Sequence, residues 1–164
     1  MEPRFRRTIV DQHLRFRGVQ ILLVEDNDVN REMALSVLRR AGVVVSVACD
    51  GQEALDMLSR QRFDGVLMDC HMPVLDGYAA TRILRGQAQW LDLPVIALTA
   101  SSMAADRDQA LAAGMNDHIA KPINRVHLFT TLARWVRPRT TEFGKASALA
   151  DSGIYGVRLR YQPM

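Results

Sequence analysis

Three short apolar runs in this 164-residue chain each end on a residue able to do chemistry. Ile21-Leu22-Leu23-Val24 gives way to Glu25 and Asp26, Val66-Leu67-Met68 stops at Asp69, and Val95-Ile96-Ala97-Leu98 stops at Thr99. Lys121, followed by Pro122, comes after a weaker fourth run. Gathered in one place, these residues supply three carboxylates, a hydroxyl and an ammonium. Clustered carboxylates carry a high electrostatic cost unless a cation neutralises them, and hard oxygen ligands with room for water and phosphate oxygens suit Mg²⁺. Such a centre supports phosphoryl transfer to a carboxylate: Mg²⁺ and the lysine offset charge on the equatorial oxygens while Asp69 attacks in line. Thr99 is then placed to hydrogen-bond the product. Singly, each residue has a plainer reading, since a strand-end Asp is commonly a cap or turn former and Lys-Pro a surface turn. Their delivery by four separate segments, in this order, favours the site.

For these residues to meet, the runs must lie parallel in one sheet. Short continuous apolar runs are typical of strands buried on both faces. Helical patterns fall between them. Val29, Met33 and Val37 with Ala34, Leu38 and Ala41 form one apolar stripe, with Asn27 or Asp28 as N-cap and Gly42 at the C-terminal cap position. Further helices are expected over 52–60, with Ala54, Leu55 and Leu58 inward, over 75–85, over 104–113 ending at Gly114, and over 124–136 through Leu128, Phe129, Leu132 and Val136. This alternation predicts an α/β fold, a five-stranded parallel sheet with helices on both faces. The less apolar segments 43–48 and 117–120 belong at its edges. In open sheets of this kind ligands bind beyond the carboxyl ends of the strands, where the polar residues fall.

The length fits one domain with tails, and the boundaries read as 1–17 N-terminal linker or tail, 18–137 folded domain and 138–164 C-terminal linker or tail. Pro138, Arg139, Thr140 and Thr141 resemble a linker, and 154–159 reads as a stray strand or unstructured. The net charge of +3 comes from the tails: residues 18–137 hold 12 bases against 14 acids, so no nucleic-acid footprint is expected. No apolar run approaches the roughly 20 residues of a membrane span, and no signal-peptide core follows Met1. Cys49 and Cys70 have no metal-ligand or CxxC spacing. The expected location is the cytoplasm, with a parent protein anchored in the inner membrane as one option.

Ile21 to Asn27, Val66-Leu67-Met68-Asp69-Cys70-His71-Met72-Pro73-Val74-Leu75-Asp76-Gly77, Ala97-Leu98-Thr99-Ala100 and Lys121-Pro122 together resemble the four signature blocks of response-regulator receiver domains. The resemblance spans about 120 residues, most of the chain. It implies a flavodoxin-like doubly wound (βα)5 fold with strand order 2-1-3-4-5. It also implies that Asp69 takes a phosphoryl group from phosphohistidine, and that Asp26, Asp69 and the Cys70 backbone carbonyl bind Mg²⁺, or Mn²⁺ in its place. Glu25 would assist through water. Thr99 and Lys121 would contact the phosphoryl group, and the peptide before Pro122 would be cis.

The family couples Thr99 to an aromatic switch residue three positions before the lysine. Here that residue is His118, whose imidazole charges near neutral pH, so a pH-responsive switch is expected beside the plainer reading of an inert surface histidine. His71 and Ser101 occupy the positions where the family tunes hydrolysis of the acyl phosphate. The wording from Leu67 to Arg82, and Ala112 to His118, resembles receivers attached to hybrid histidine kinases. The implied partners are a histidine kinase core or a histidine phosphotransfer domain, with a homodimer through helix 4, strand 5 and helix 5 as a further option. The module is expected to be a signalling part, not an enzyme, beyond its own phosphorylation and autodephosphorylation.

Three alternatives compete with this reading. The chain could be a stand-alone response regulator, or a binding module independent of phosphorylation, against which the full acid, Thr and Lys set argues. An aspartate-nucleophile phosphatase of the haloacid dehalogenase type would need a second Asp two residues after the nucleophile, where this chain has His71.

Overall fold

The three apolar runs lie side by side at the centre of a five-stranded parallel sheet. The computed structural model describes residues 15–101 and 103–138; the expectations for 1–14 and 139–164, including 154–159, fall outside these. The elements are β1 (Gln20–Val24), α1 (Asp28–Arg40), β2 (Val44–Ala48), α2 (Gly51–Arg60), β3 (Gly65–Asp69), α3 (Gly77–Arg85), β4 (Val95–Thr99), α4 (Ala104–Ala113), β5 (Asp117–Ala120) and α5 (Arg125–Trp135). One short 3-10 turn, Ala88–Trp90, precedes β4. The strand order is β2-β1-β3-β4-β5, so the two less apolar strands do form the edges.

Successive side chains of a strand point to opposite faces, and each face meets its own helices. Ile21, Leu23, Leu67, Ile96, Leu98 and Ile119 pack with α1 and α5; Leu22, Val24, Val66, Met68, Val95 and Ala97 pack with residues of α2, α3 and α4. Full burial of each Val, Leu, Ile or Met side chain among them stabilises the fold by about 1.5–3 kcal/mol. The parallel register carries each strand end to the same side. Val24 stands opposite Met68, Asp69 opposite Leu98 and Thr99 opposite Ala120.

Three sequence expectations are corrected. On α1 the buried face is Ala34, Leu35 and Leu38, whereas Val29 and Met33 are 68% and 45% exposed. The Asn27 cap fixes the phase of this helix, since its side chain accepts from Asn30 N, and that phase turns Leu35 inward. Helix α3 begins at Gly77, two residues later than expected, because Asp76 caps it by accepting from Ala79 N at 2.8 Å. Val74, just before, has φ +68°, left-handed backbone that a β-branched residue rarely adopts and that no helix accommodates. Finally, the N-terminal boundary at residue 18 cuts into the core. Phe16 is fully buried with its ring 5.3 Å from that of Phe129, and Arg15 donates to the Ala133 carbonyl at 2.8 Å.

Arg85 fastens the end of the sheet away from Asp69. Its guanidinium donates to the carbonyls of Gly114 (2.8 Å), Trp90 (2.6 Å) and Leu93 (2.9 Å) and to Asn116 Oδ1 (2.9 Å), which also accepts from Val95 N. Gly114, at φ +101°, closes α4, and a Cβ there would stand 2.6 Å from Arg85 Cγ, so both its backbone and its neighbour require glycine.

Candidate functional site

Glu25 extends β1 by one backbone bond, its N–H donating to the Ala48 carbonyl at 3.0 Å. Strand alternation then turns its side chain inward, to 1% exposure, and leaves Asp26 exposed. The turn into α1 holds the buried carboxylate: Asn27 N and Asn30 Nδ2 donate to Glu25 Oε1 at 3.3 and 3.4 Å. Arg31 donates to the Glu25 carbonyl at 3.2 Å and pairs with Asp28.

Asp69 is the last residue of β3 and is buried, with Oδ1 accepting from His71 N at 3.3 Å. Lys121, delivered just past β5, reaches across to both acids. Its Nζ lies 2.9 Å from Glu25 Oε2 and 3.2 Å from Asp69 Oδ2. The lysine backbone N–H donates to the Thr99 carbonyl at 2.7 Å, and the Lys121–Pro122 peptide is cis. Carboxylate oxygens of Glu25, Asp26 and Asp69 all lie within 4.8 Å of one another.

The electrostatics follow from this crowding. Burial, then the Glu25 charge, push the Asp69 carboxyl up to about 6, with Lys121 opposing both. Burial works against the Lys121 ammonium, but its hydrogen bond to Glu25 and the charges of Asp69 and Glu25 prevail, and its pKa rises. Three acids with one ammonium remain short of positive charge. Glu25 is buried with Lys121 as its cationic partner, which it shares with Asp69, and Asp26 opens to solvent. An all-oxygen donor set, partly exposed and short of positive charge, fits a hard divalent cation that keeps waters of its own.

The remaining candidates are placed differently. Thr99 is 2% exposed and its hydroxyl donates to the Ser101 carbonyl at 2.7 Å, so it borders the acids while bonded to its own loop. Ser101 Oγ accepts from Met103 N at 3.0 Å. His71 is exposed, its ring edge-on to Tyr78 at 5.8 Å. His118 sits on β5 at 21% side-chain exposure, with Nδ1 3.7 Å from Asp117 Oδ1. Asp117 also accepts from Trp135 Nε1 and Arg134 Nη1, each at 2.9 Å, and these bonds with that of His118 N–H hold its carboxyl low despite burial. The Cys70 thiol is pushed up to about 11 by burial, which suits a structural side chain; Cys49 is exposed, and both are free thiols.

Sequence reasoning placed Gly77 within a motif without its reason. A Cβ at Gly77 would stand 2.1 Å from the Asp69 carbonyl oxygen and 2.8 Å from Met68 Cγ, and its N–H donates to the Cys70 carbonyl at 3.1 Å. Asn27 and Asn30 also went unrecognised as partners of Glu25; a polar pair just after two strand-end acids was the available signal.

Comparison with known proteins agrees with this arrangement. The profile of the response regulator receiver domain matches residues 21–133. The transcription factor SKN7 of Saccharomyces cerevisiae is 41% identical over 123 residues, 75% of this chain and 20% of SKN7. Across six curated relatives the chain spans from 6% to 20% of their length. Among solved structures, the receiver domain of sensor histidine kinase PA1611 from Pseudomonas aeruginosa, with magnesium in its active-site cleft, is 49% identical at a TM-score of 0.68, covering 72% of this chain and 97% of that one. The receiver of Ssk1, solved with the histidine phosphotransfer protein Ypd1 of Saccharomyces cerevisiae, is 30% identical at a TM-score of 0.67, covering 74% and 90%. The five parallel strands in the order 2-1-3-4-5, the acids at their carboxyl ends and the match over 21–133 lead to one conclusion: the chain belongs to the response regulator receiver domain family, the phosphorelay module of two-component signalling.

Proposed function

We propose that this receiver takes a phosphoryl group from a phosphohistidine onto Asp69. The observation that carries the reading is the reach of Lys121 Nζ to within 3.2 Å of Asp69 and 2.9 Å of Glu25. Asp26, Asp69 and the Cys70 carbonyl would hold Mg²⁺, with Glu25 assisting through water. When bound, Mg²⁺ lowers the Asp69 proton affinity and balances negative charge on the phosphoryl oxygens. An Asp69 carboxylate oxygen attacks phosphorus in line as the P–N bond to the donor imidazole breaks. The bonding pair returns to nitrogen, and the product is an acyl phosphate. Lys121 meets the transferred group's charge, and the Thr99 hydroxyl leaves the Ser101 carbonyl to bond one of its oxygens. His71 and Ser101, flanking the site, tune its hydrolysis.

The donor is a histidine kinase core or a histidine phosphotransfer domain. Val29 and Met33, exposed on α1 beside the acids, and Val126, 71% exposed at the start of α5, supply an apolar rim for that docking. The 49% identity with the receiver of a sensor histidine kinase supports a place in a hybrid kinase. Among the described residues no helix is long and apolar enough to cross a membrane, and the proposed setting is cytoplasmic. The α4–β5–α5 face, with β5 tied to α5 through Asp117, is the proposed output and dimer surface. His118, on that strand, is the proposed switch; an unchanged imidazole NMR environment on adding beryllofluoride would refute its coupling to Thr99.

Incubation with acetyl phosphate and Mg²⁺ followed by intact mass measurement tests the function. One added phosphoryl group is expected, absent with EDTA and absent in Asp69→Asn. Addition that survives the substitution contradicts the assignment.

A further inference from the structure

The two ends of the sheet carry opposite charge. Helices return against the strands, so their first turns border Asp69 and their last turns the far end. Asp28, Glu53 and Asp106 stand in first turns; Arg39, Arg40, Arg60, Arg82, Arg85 and Arg134 stand in last turns. Helix dipoles favour this placement on their own, so charge alone marks no site. Shape supplies the second observation. At the amino ends of β3 and β4 an open groove of about 1060 Å³ runs between residues 58–64, residues 89–94 and the end of α5.

The groove joins aromatic surface to unpaired cations. Trp90 and Trp135 line it, and Leu91 is 57% exposed. Arg60, Arg62 and Arg137 are exposed in its lining, and among the described residues none of them forms an ion pair. Of the two acids in its lining, Asp64 accepts from Gln20 N at 2.8 Å and Asp92 is exposed, so the three arginines outnumber the acids. Arg85 also clamps the Trp90 and Leu93 carbonyls, so this wall is preformed.

We propose that this groove is a second interaction surface, remote from Asp69, that seats an acidic segment of a partner protein bearing aliphatic or aromatic side chains. Tryptophan and arginine are the residues that carry most energy at protein interfaces, and a carboxylate-rich segment complements three unpaired guanidiniums. The chain's own residues 139–164 hold four bases against two acids, a charge this surface repels. A concave groove also suits a peptide segment better than a flat bilayer. Because it opens away from the acids, an occupant leaves the Asp69 mouth free, and partner binding and phosphorylation are compatible.

The test is a ¹H–¹⁵N NMR titration of the full chain with a short synthetic peptide of alternating Glu and Leu. Saturable shifts are expected at 58–64, 89–94 and 135–137. The double variant Arg60→Glu, Arg62→Glu is expected to weaken binding at least about tenfold while leaving phosphorylation by acetyl phosphate unchanged. Shifts that do not saturate, shifts centred on the Asp69 end, or equal binding of a Lys and Leu peptide overturn the proposal. Binding of phosphatidylglycerol vesicles, lost in the same double variant and unaccompanied by peptide binding, overturns it in favour of a membrane surface.

Discussion

Gly77 sits directly against the backbone carbonyl of Asp69: a methyl group on its α-carbon would lie 2.1 Å from that oxygen. The start of α3 is thereby pressed onto the end of β3, and the N–H of the same glycine fixes the Cys70 carbonyl. Gly77→Ala forces backbone apart at the heart of the site, where no flexible side chain can yield. A loss of about 3 kcal/mol is expected from chemical denaturation, at the upper end of what overpacking costs. Magnesium affinity, read by isothermal titration calorimetry, should fall with it. A variant as stable as the parent would refute the tight approach.

The raised Asp69 carboxyl makes a signed prediction for the metal-free protein. Its pKa near 6 in the fold exceeds the ordinary 3.8, so the native state holds this proton more tightly than the unfolded chain. The resulting cost is absent below about pH 4, grows between about 4 and 6, and stays constant above. Asp69→Asn therefore stabilises the protein in EDTA at pH 8 by about 1–3 kcal/mol, and the gain shrinks as pH falls through 6. Urea unfolding at both pH values checks this. Added Mg²⁺ should stabilise the parent and not the variant.

Lys121 holds the opposing charge. Removing it in Lys121→Ala leaves Glu25 buried beside Asp69 without its cation, a loss of about 2 kcal/mol in EDTA after allowing for the partial exposure of the lysine. Because Lys121 lowers the Asp69 carboxyl, the variant should also need a higher pH for phosphorylation by acetyl phosphate. An unshifted pH profile would mean the ammonium does not act on Asp69.

Much of this arrangement was legible in the sequence, and the parts that were not have a common cause. The apolar runs ending at Glu25, Asp69 and Thr99 declare buried strands because no other element of that length is apolar on every side. The less apolar 43–48 and 117–120 declare edges for the same reason. The stripe on α1 was misread because Val29, Met33 and Val37 compete with Leu35 for the same helix, and only the position of Asn27 against Glu25 decides the phase. The Arg85 clamp was invisible because most of its acceptors are backbone carbonyls, which residue types do not reveal. Phe16 looked like tail because its partner Phe129 lies more than a hundred residues along the chain.

The outward turn of α1 has a functional consequence. If Val29 and Met33 receive a protein donor, then Val29→Asp with Met33→Asp should slow phosphoryl transfer from a histidine phosphotransfer domain at least about tenfold, equivalent to roughly 1.4 kcal/mol. Phosphorylation by acetyl phosphate, which needs no docking, should keep its rate. Equal slowing of both reactions would place the effect in the site and not in recognition.

The central claim is that Asp69 itself carries the phosphoryl group, and chemical trapping addresses it directly. Phosphorylation with acetyl phosphate and Mg²⁺, then borohydride reduction and peptide mass mapping, should convert residue 69 to homoserine and leave Glu25 and Asp26 intact. Homoserine at another position, or no reduced residue in a protein whose mass had risen by a phosphoryl group, would contradict the account.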